Sequence, residues 1–186
     1  MSKGKLFVIS GASGVGKSTV LKAVMQCRDD LTFSVSATTR DPRPEEREGV
    51  HYYFVSEQTF QGMIDAGEFL EYNGHMNHRY GTPRGQLVEK LERSNVILDI
   101  EPNGAFAVRK ERPDAVLIFI MPPSMEELRR RLEKRQDTPQ EEVELRLERA
   151  KWEIAQSPKY DYVVVNDEAD RCAAEVLHII ADQADN

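Results

Sequence analysis

Residues 11–18 read Gly11-Ala12-Ser13-Gly14-Val15-Gly16-Lys17-Ser18, a G-x-x-x-x-G-K-[ST] string whose residue types suit the wrapping of a row of phosphates. Glycines let consecutive backbone N–H groups turn inward around phosphate oxygens, and a helix starting at the end of the loop adds partial positive charge. In such a loop Lys17 reaches the β- and γ-phosphates, and Ser18 offers a hydroxyl ligand to Mg²⁺. The context agrees with the motif. Leu6-Phe7-Val8-Ile9 runs into it as a strand, and Thr19, Val20, Leu21, Ala23 and Val24 leave it with helical spacing. The loop and Thr19 are therefore the candidates for binding a nucleoside triphosphate. The motif does not say where the γ-phosphate goes. GTPases share this loop but need an Asn-Lys-x-Asp to read guanine, and the chain has none.

Other residues could serve an acceptor. Val96-Ile97-Leu98-Asp99 is an apolar strand ending in a carboxylate, placed where strand ends face the ligand crevice of a parallel sheet. Asp99 is thus a candidate for the metal and for the acceptor side. Arg40 and Arg43, three apart at the mouth of Phe33-Ser34-Val35-Ser36, can fork onto one phosphate monoester. Tyr52, Glu71, Tyr80 and Thr82 follow. Taken singly each has a bland reading, because half-buried tyrosines and surface carboxylates are common.

The elements that must hold these residues are legible as apolar runs. Leu6–Ile9, Val96–Leu98, Ala115–Ile120 and Tyr162–Val165 are continuous rather than alternating, as strands buried on both faces are. Helical patterns lie between them, at roughly 17–28, 83–93, 103–111, 124–156 with an interruption, and 168–182. Strands alternating with helices predict an α/β fold in three layers around a parallel sheet. Residues 37–82 break the alternation and predict an insertion with a small antiparallel segment; residues 135–142 interrupt a helix with polar residues and Pro139.

Composition narrows the partners. At 186 residues the chain fits one domain with insertions. A formal net charge of -7 speaks against non-specific binding to nucleic acid or to a membrane surface, so phosphates must meet a local basic pocket. Cys27 and Cys172 are far apart in predicted helices, which fits reduced thiols rather than a disulfide or a metal site. The first residues run straight into a strand, and no apolar run approaches the ~20 residues of a membrane span, so a cytoplasmic protein is expected.

In order and spacing behind the phosphate loop, the set closely resembles the guanylate kinase family. The strings that carry the resemblance are Ser-Val-Ser-x-Thr-Thr-Arg-x-Pro-Arg at 34–43, Tyr-Gly-Thr at 80–82, Pro122-Pro123-Ser124, and Tyr160-Asp161-Tyr162-Val163-Val164-Val165-Asn166-Asp167. It implies a P-loop NTPase fold with a GMP-binding insertion at 37–82, a short lid at 135–146 and a core made of 1–36, 83–134 and 147–186. It also implies a reaction, ATP and GMP giving ADP and GDP with Mg²⁺, in purine nucleotide metabolism. Arg40, Arg43, Tyr52 and Tyr80 would hold the GMP phosphate; Ser36 and Thr82 would bond the O6 side of guanine. Glu71 and Glu101 would accept from N1–H and the 2-amino group, two donors that suit ionised carboxylates. Arg135 and Arg146 match the lid arginines that, with Lys17 and Arg40, meet the transferring charge, with Arg131 near them. Arg129, Arg130 and Arg149 are expected as solvated helix charges. Asn166 resembles the adenine-side turn.

The chain departs from the family pattern in places. Pro-Arg-x-Gly-Glu reads Pro42-Arg43-Pro44-Glu45-Glu46, and Asp-x-Asp-x-Gln-Gly reads Asp99-Ile100-Glu101-Pro102-Asn103-Gly104. Glu101 is one methylene longer than the expected aspartate, and the lid's Arg-Gly or Arg-Asn reads Arg135-Gln136. The rival readings are a P-loop kinase of a phosphorylated sugar, which would lack the set of Ser36, Glu71 and Thr82, and a non-catalytic binding module, which would lack Lys17, Ser18 and the lid arginines. Whether the chain is a monomer or a homo-oligomer is left open.

Overall fold

The computed structural model describes residues 4–75, 77–134 and 139–184, with the side chain of residue 75 set aside. The first apolar run is strand β1 (Leu6–Gly11), which passes through the glycine loop into helix α1 (Lys17–Gln26). Short strands β2 (Leu31–Phe33), β3 (Ser36–Thr38) and β4 (Tyr52–Phe54) follow, then α2 (Glu57–Asp65). A hairpin of β5 (Phe69–His75) and β6 (His78–Pro83) leads to α3 (Arg84–Leu91). Next come β7 (Asn95–Asp99), α4 (Pro102–Glu111), β8 (Val116–Met121) and α5 (Met125–Glu133). The chain closes with α6 (Gln140–Ala155), β9 (Tyr162–Val165) and α7 (Ala169–Ala184).

The central sheet has the order β2-β7-β1-β8-β9, and every pairing in it is parallel, as the continuous apolar runs predict. Along β1, Phe7 and Ile9 point into one core with α1, α5, α6 and α7, while Leu6 and Val8 point into another with α3 and α4. All four are fully buried, which is why the run contains no polar residue. In register, Ile9 of β1 pairs with Asp99 of β7, so the glycine loop and Asp99 emerge side by side at the carboxyl edge of the sheet.

A second sheet, β4-β3-β6-β5, stands beside that edge over a small core of Ala37, Phe60 and Phe69. The antiparallel segment expected at 37–82 is present in β3, β6 and β5, but β4 joins β3 in parallel. A parallel return needs about a dozen residues of connection, and the charged stretch between Thr38 and Tyr52 supplies them. Helix α2 has no counterpart among the expected helices. Phe60 is its single fully buried residue, Met63 and Ile64 pack beside it, and Gly62 sits between them, so its apolar stripe is regular but only about one turn long. Ser56 caps it by accepting from the Thr59 N–H at 3.0 Å.

Candidate active site

The glycine loop is shaped by two left-handed residues, Gly14 with φ of 83° and Gly16 with φ of 92°. Gly14 is doubly constrained, because a Cβ there would lie 2.5 Å from Cδ2 of Leu132 on α5. Ala12 and Val15 are buried and anchor the loop from below. The carbonyl of Val15 is gripped by Asn166 Nδ2 at 2.8 Å and by Arg131 Nη1 at 3.1 Å. Arg131 also reaches the carbonyls of Asn166 and Asp167, at 3.0 and 3.3 Å, so it fastens the loop to the end of β9. Lys17 opens α1 and pairs with Asp99 across the β1–β7 edge. Ser18 and Thr19 are exposed in the first turn.

Across the crevice, the residues after β3 turn Arg40 back over the second sheet. Its Nη2 donates to both carboxylate oxygens of Glu46 at 2.9 Å, and Glu46 also accepts the N–H of Arg43 at 2.8 Å. Donating these hydrogen bonds to Glu46 raises the Arg40 pKa, and Arg40 in turn holds the Glu46 carboxyl below the usual range. The guanidinium lies 5.6 Å from the Tyr52 ring centre, and Tyr52 meets Tyr80 edge to face at 5.9 Å. Burial pushes the Tyr52 hydroxyl pKa up.

Glu71 and Thr82 are partners in the β5–β6 ladder, and both are buried. Thr82 Oγ1 donates to Glu71 Oε1 at 2.6 Å. Desolvation outweighs that bond and lifts the Glu71 pKa from an ordinary 4.5 to about 7. Gly104 at the start of α4 makes room for this carboxylate: a Cβ there would sit 2.8 Å from Glu71 Oε2. Glu101 occupies the N-cap position of α4 without capping it, and its carboxylate instead receives Asn73 Nδ2 and Arg149 Nη2. Burial raises its pKa although Arg149 pulls the other way.

These groups share one cleft of about 390 Å³. It is lined by the whole loop from Gly11 to Ser18, with Asp99 beside it, and by Ser36, Arg40, Arg43, Tyr52, Glu71, Tyr80 and Glu101. Four expected residues do not line it. Thr19 lies one residue beyond the lining, Thr82 is buried behind it with its hydroxyl on Glu71, and Asn166 is buried beneath the loop. Arg146 pairs with Glu142 on its own helix. Arg135 lies outside the described residues.

The cleft also contains residues that the sequence reading left without a role: Glu46, Asn73, Arg149 and Glu153. The expectation that Arg149 is a solvated charge is wrong: it is half-buried and pairs with both Glu101 and Glu153. A signal was present, since Arg149 stands three residues from Arg146 and four from Glu153, positions that share a helix face. Glu153 is itself only 4% exposed and accepts the N–H of Ser13 at 2.7 Å. Arg129 and Arg130 are solvated as expected.

Sequence and fold are both similar to those of guanylate kinases. The guanylate kinase family model matches residues 3–183. Guanylate kinase of Thermus thermophilus is 48% identical over 179 residues, 96% of this chain and 81% of that protein. Guanylate kinase of Caldanaerobacter subterraneus is 45% identical over 179 residues, 96% of this chain and 87% of its own. The crystal structure of guanylate kinase from Anaplasma phagocytophilum superposes with a TM-score of 0.82 at 34% identity, covering 100% of this chain and 89% of that one. With a parallel core sheet, a glycine loop at its carboxyl edge and similarity running from end to end, the chain has a P-loop NTPase fold and belongs to the guanylate kinase family.

Proposed function

We propose that the chain transfers the γ-phosphate of ATP to GMP, giving ADP and GDP, and that the cleft residues divide this work between two facing walls. The observation that carries the reading is the buried Glu71–Thr82 pair facing the phosphate loop across one cleft. A carboxylate held in that position suits the adjacent N–H donors of guanine, which adenine lacks. The loop amides and Lys17 hold the donor phosphates, Arg40, Arg43, Tyr52 and Tyr80 hold the acceptor phosphate, and Ser36 serves the O6 side. Phosphoryl transfer asks the protein for position and charge more than for covalent chemistry. No general base is needed, because the attacking oxygen already belongs to a phosphate anion.

Ser18 and Asp99 are hard oxygen donors at neighbouring points of the cleft edge, one in the first turn of α1 and one at the end of β7, and they fit Mg²⁺. Mg²⁺, when bound, would neutralise charge on the phosphates. The phosphates also compete with Asp99 for Lys17 and with Glu46 for Arg40, so the cations are released where negative charge arrives. Residues 37–82 form the acceptor-binding insertion, and the lid of 135–146 with Arg135 and Arg146 closes over the transferring group. The free thiols of Cys27 and Cys172 suit a reducing cytoplasm, and no described helix is long and apolar enough to cross a membrane.

A coupled assay of ATP consumption with GMP, AMP, UMP and a sugar phosphate tests the reading. GMP should be preferred by orders of magnitude. Turnover of the sugar phosphate above GMP, or none with any acceptor, would overturn it.

A further inference from the structure

One row of contacts belongs to neither nucleotide site alone but crosses between them. Its acceptor end is Asn73 on β5, whose Nδ2 donates to Oε1 of Glu101. The other oxygen of Glu101 receives Nη2 of Arg149 on α6. Arg149 then donates from Nε to Glu153 Oε1 at 3.0 Å, and Glu153 Oε2 accepts the Ser13 N–H of the phosphate loop at 2.7 Å. A single guanidinium thus holds two carboxylates, one in the acceptor wall and one behind the donor loop.

Each carboxylate has a physical need for that cation. Glu153 is buried, and an ionised carboxylate there is costly unless paired. Unpaired, it would also repel the phosphates that enter the loop beside Ser13. Glu101 has one more rotatable bond than an aspartate, so its carboxylate wanders unless its oxygens are held. Asn73 and Arg149 hold one each, so the ordering occurs on folding rather than on substrate binding. The planar fork of arginine can face Glu153 with Nε and Glu101 with Nη2 at once; a lysine ammonium is a point charge and lacks that geometry.

We propose that Arg149 is a positioning residue for both substrates: it fixes Glu101 for the 2-amino group of guanine, neutralises Glu153 behind the phosphate loop, and thereby couples the two nucleotide sites. The proposal rests on the reading of this cleft as an ATP and GMP site. Guanine that engages Glu101 draws on a carboxylate shared with Arg149, and so frees the guanidinium to favour charge at the loop. By linkage, a triphosphate in the loop favours guanine to the same extent. A plain helix-surface pair between Arg149 and Glu153 would alter stability slightly and neither binding preference nor coupling.

The test measures dissociation constants for GMP and for IMP, which lacks the 2-amino group, with and without a non-hydrolysable ATP analogue. Wild type, Arg149→Met and Arg149→Lys are compared, with thermal melts alongside. Wild type should prefer GMP and show positive coupling of about fivefold or more. Arg149→Met should lose about tenfold of the GMP preference, as expected for one charged hydrogen bond, and its coupling should fall toward one. Arg149→Lys should keep its affinity for the ATP analogue within about threefold, because charge remains beside Glu153, yet lose GMP preference as the Met variant does. Folded variants that keep both preference and coupling within about twofold of wild type overturn the proposal. If the Met variant fails to fold, the Lys variant decides by the same two readouts. A wild type with no preference for GMP over IMP would instead overturn the guanine reading, and this inference with it.

Discussion

In the proposed reaction, Glu71 is the residue on which base recognition would turn. Its Oε1 accepts from Thr82 at 2.6 Å, so Glu71→Gln can keep that bond and present an NH₂ where guanine brings its own donors. GMP turnover should fall by ~10²-fold or more, using ~3 kcal/mol for a lost charged hydrogen bond. Steady-state kinetics with GMP and IMP check this, and IMP should suffer less. The same carboxyl predicts a pH dependence. Its folded-state pKa of about 7 lies above the ordinary 4.5, so between those values the folded protein holds a proton that the unfolded chain has lost. The stability it contributes to the ligand-free protein is full below about 4.5 and is lost as pH rises through about 7. Denaturant unfolding from pH 5 to 8 should show that loss in wild type and a flatter profile in Glu71→Gln. Guanine binding runs the other way, because only the ionised form accepts from two donors. The ratio of GMP to IMP affinity should therefore fall as pH drops below about 7, with the shared phosphate titration cancelling.

At the scale of elements, the site depends on close approaches between backbones and carboxylates. In the first turn of helix α4, Gly104 lies so near Glu71 that a methyl group would sit 2.8 Å from Oε2. Gly104→Ala should rotate or displace that carboxylate and weaken GMP binding roughly tenfold, the scale of one charged hydrogen bond, while ATP binding is unchanged. Calorimetric titration with each nucleotide separately checks it; equal weakening of both would mean that α4 moved as a whole. Helix α6 carries the opposite logic, in which one element serves several neighbours. Val143, Leu147 and Ala150 bury one side of it, while Arg149 and Glu153 reach the cleft. Its packing therefore sets where charge is placed beside the phosphate loop.

For the whole molecule, two walls meet over one cleft, and each carries cations already paired with carboxylates. Bringing ATP and GMP together adds phosphate charge that both walls can share, so closure should be greatest with both sites filled. Fluorescent labels at Thr59 on α2 and Leu145 on α6, both exposed, would report the separation of the walls. The distance should shorten modestly with one nucleotide and most with a ligand that joins adenosine to guanosine through phosphates. A distance unchanged under all conditions would contradict a closing insertion and lid.

The sequence by itself determined what lies within contiguous stretches. Eight consecutive residues encode the phosphate loop, because its glycines, lysine and serine act on backbone they themselves form. Continuous apolar runs likewise fixed a parallel sheet, since only strands covered on both faces have no polar side. Helix α2 escaped because its apolar stripe, Phe60, Met63 and Ile64, spans only about one turn and is interrupted by Gly62, and the parallel β3–β4 pair escaped because a long charged connection does not reveal which way it returns. Tertiary structure alone decided the partnerships that give the cleft its charge. Ser13 and Glu153 are 140 residues apart in sequence and hydrogen-bonded in the fold, and Glu101 and Arg149 are 48 apart. No local pattern marks such pairs: a carboxylate on a helix reads as a solvated charge until the packing of α6 against the sheet buries it at the loop.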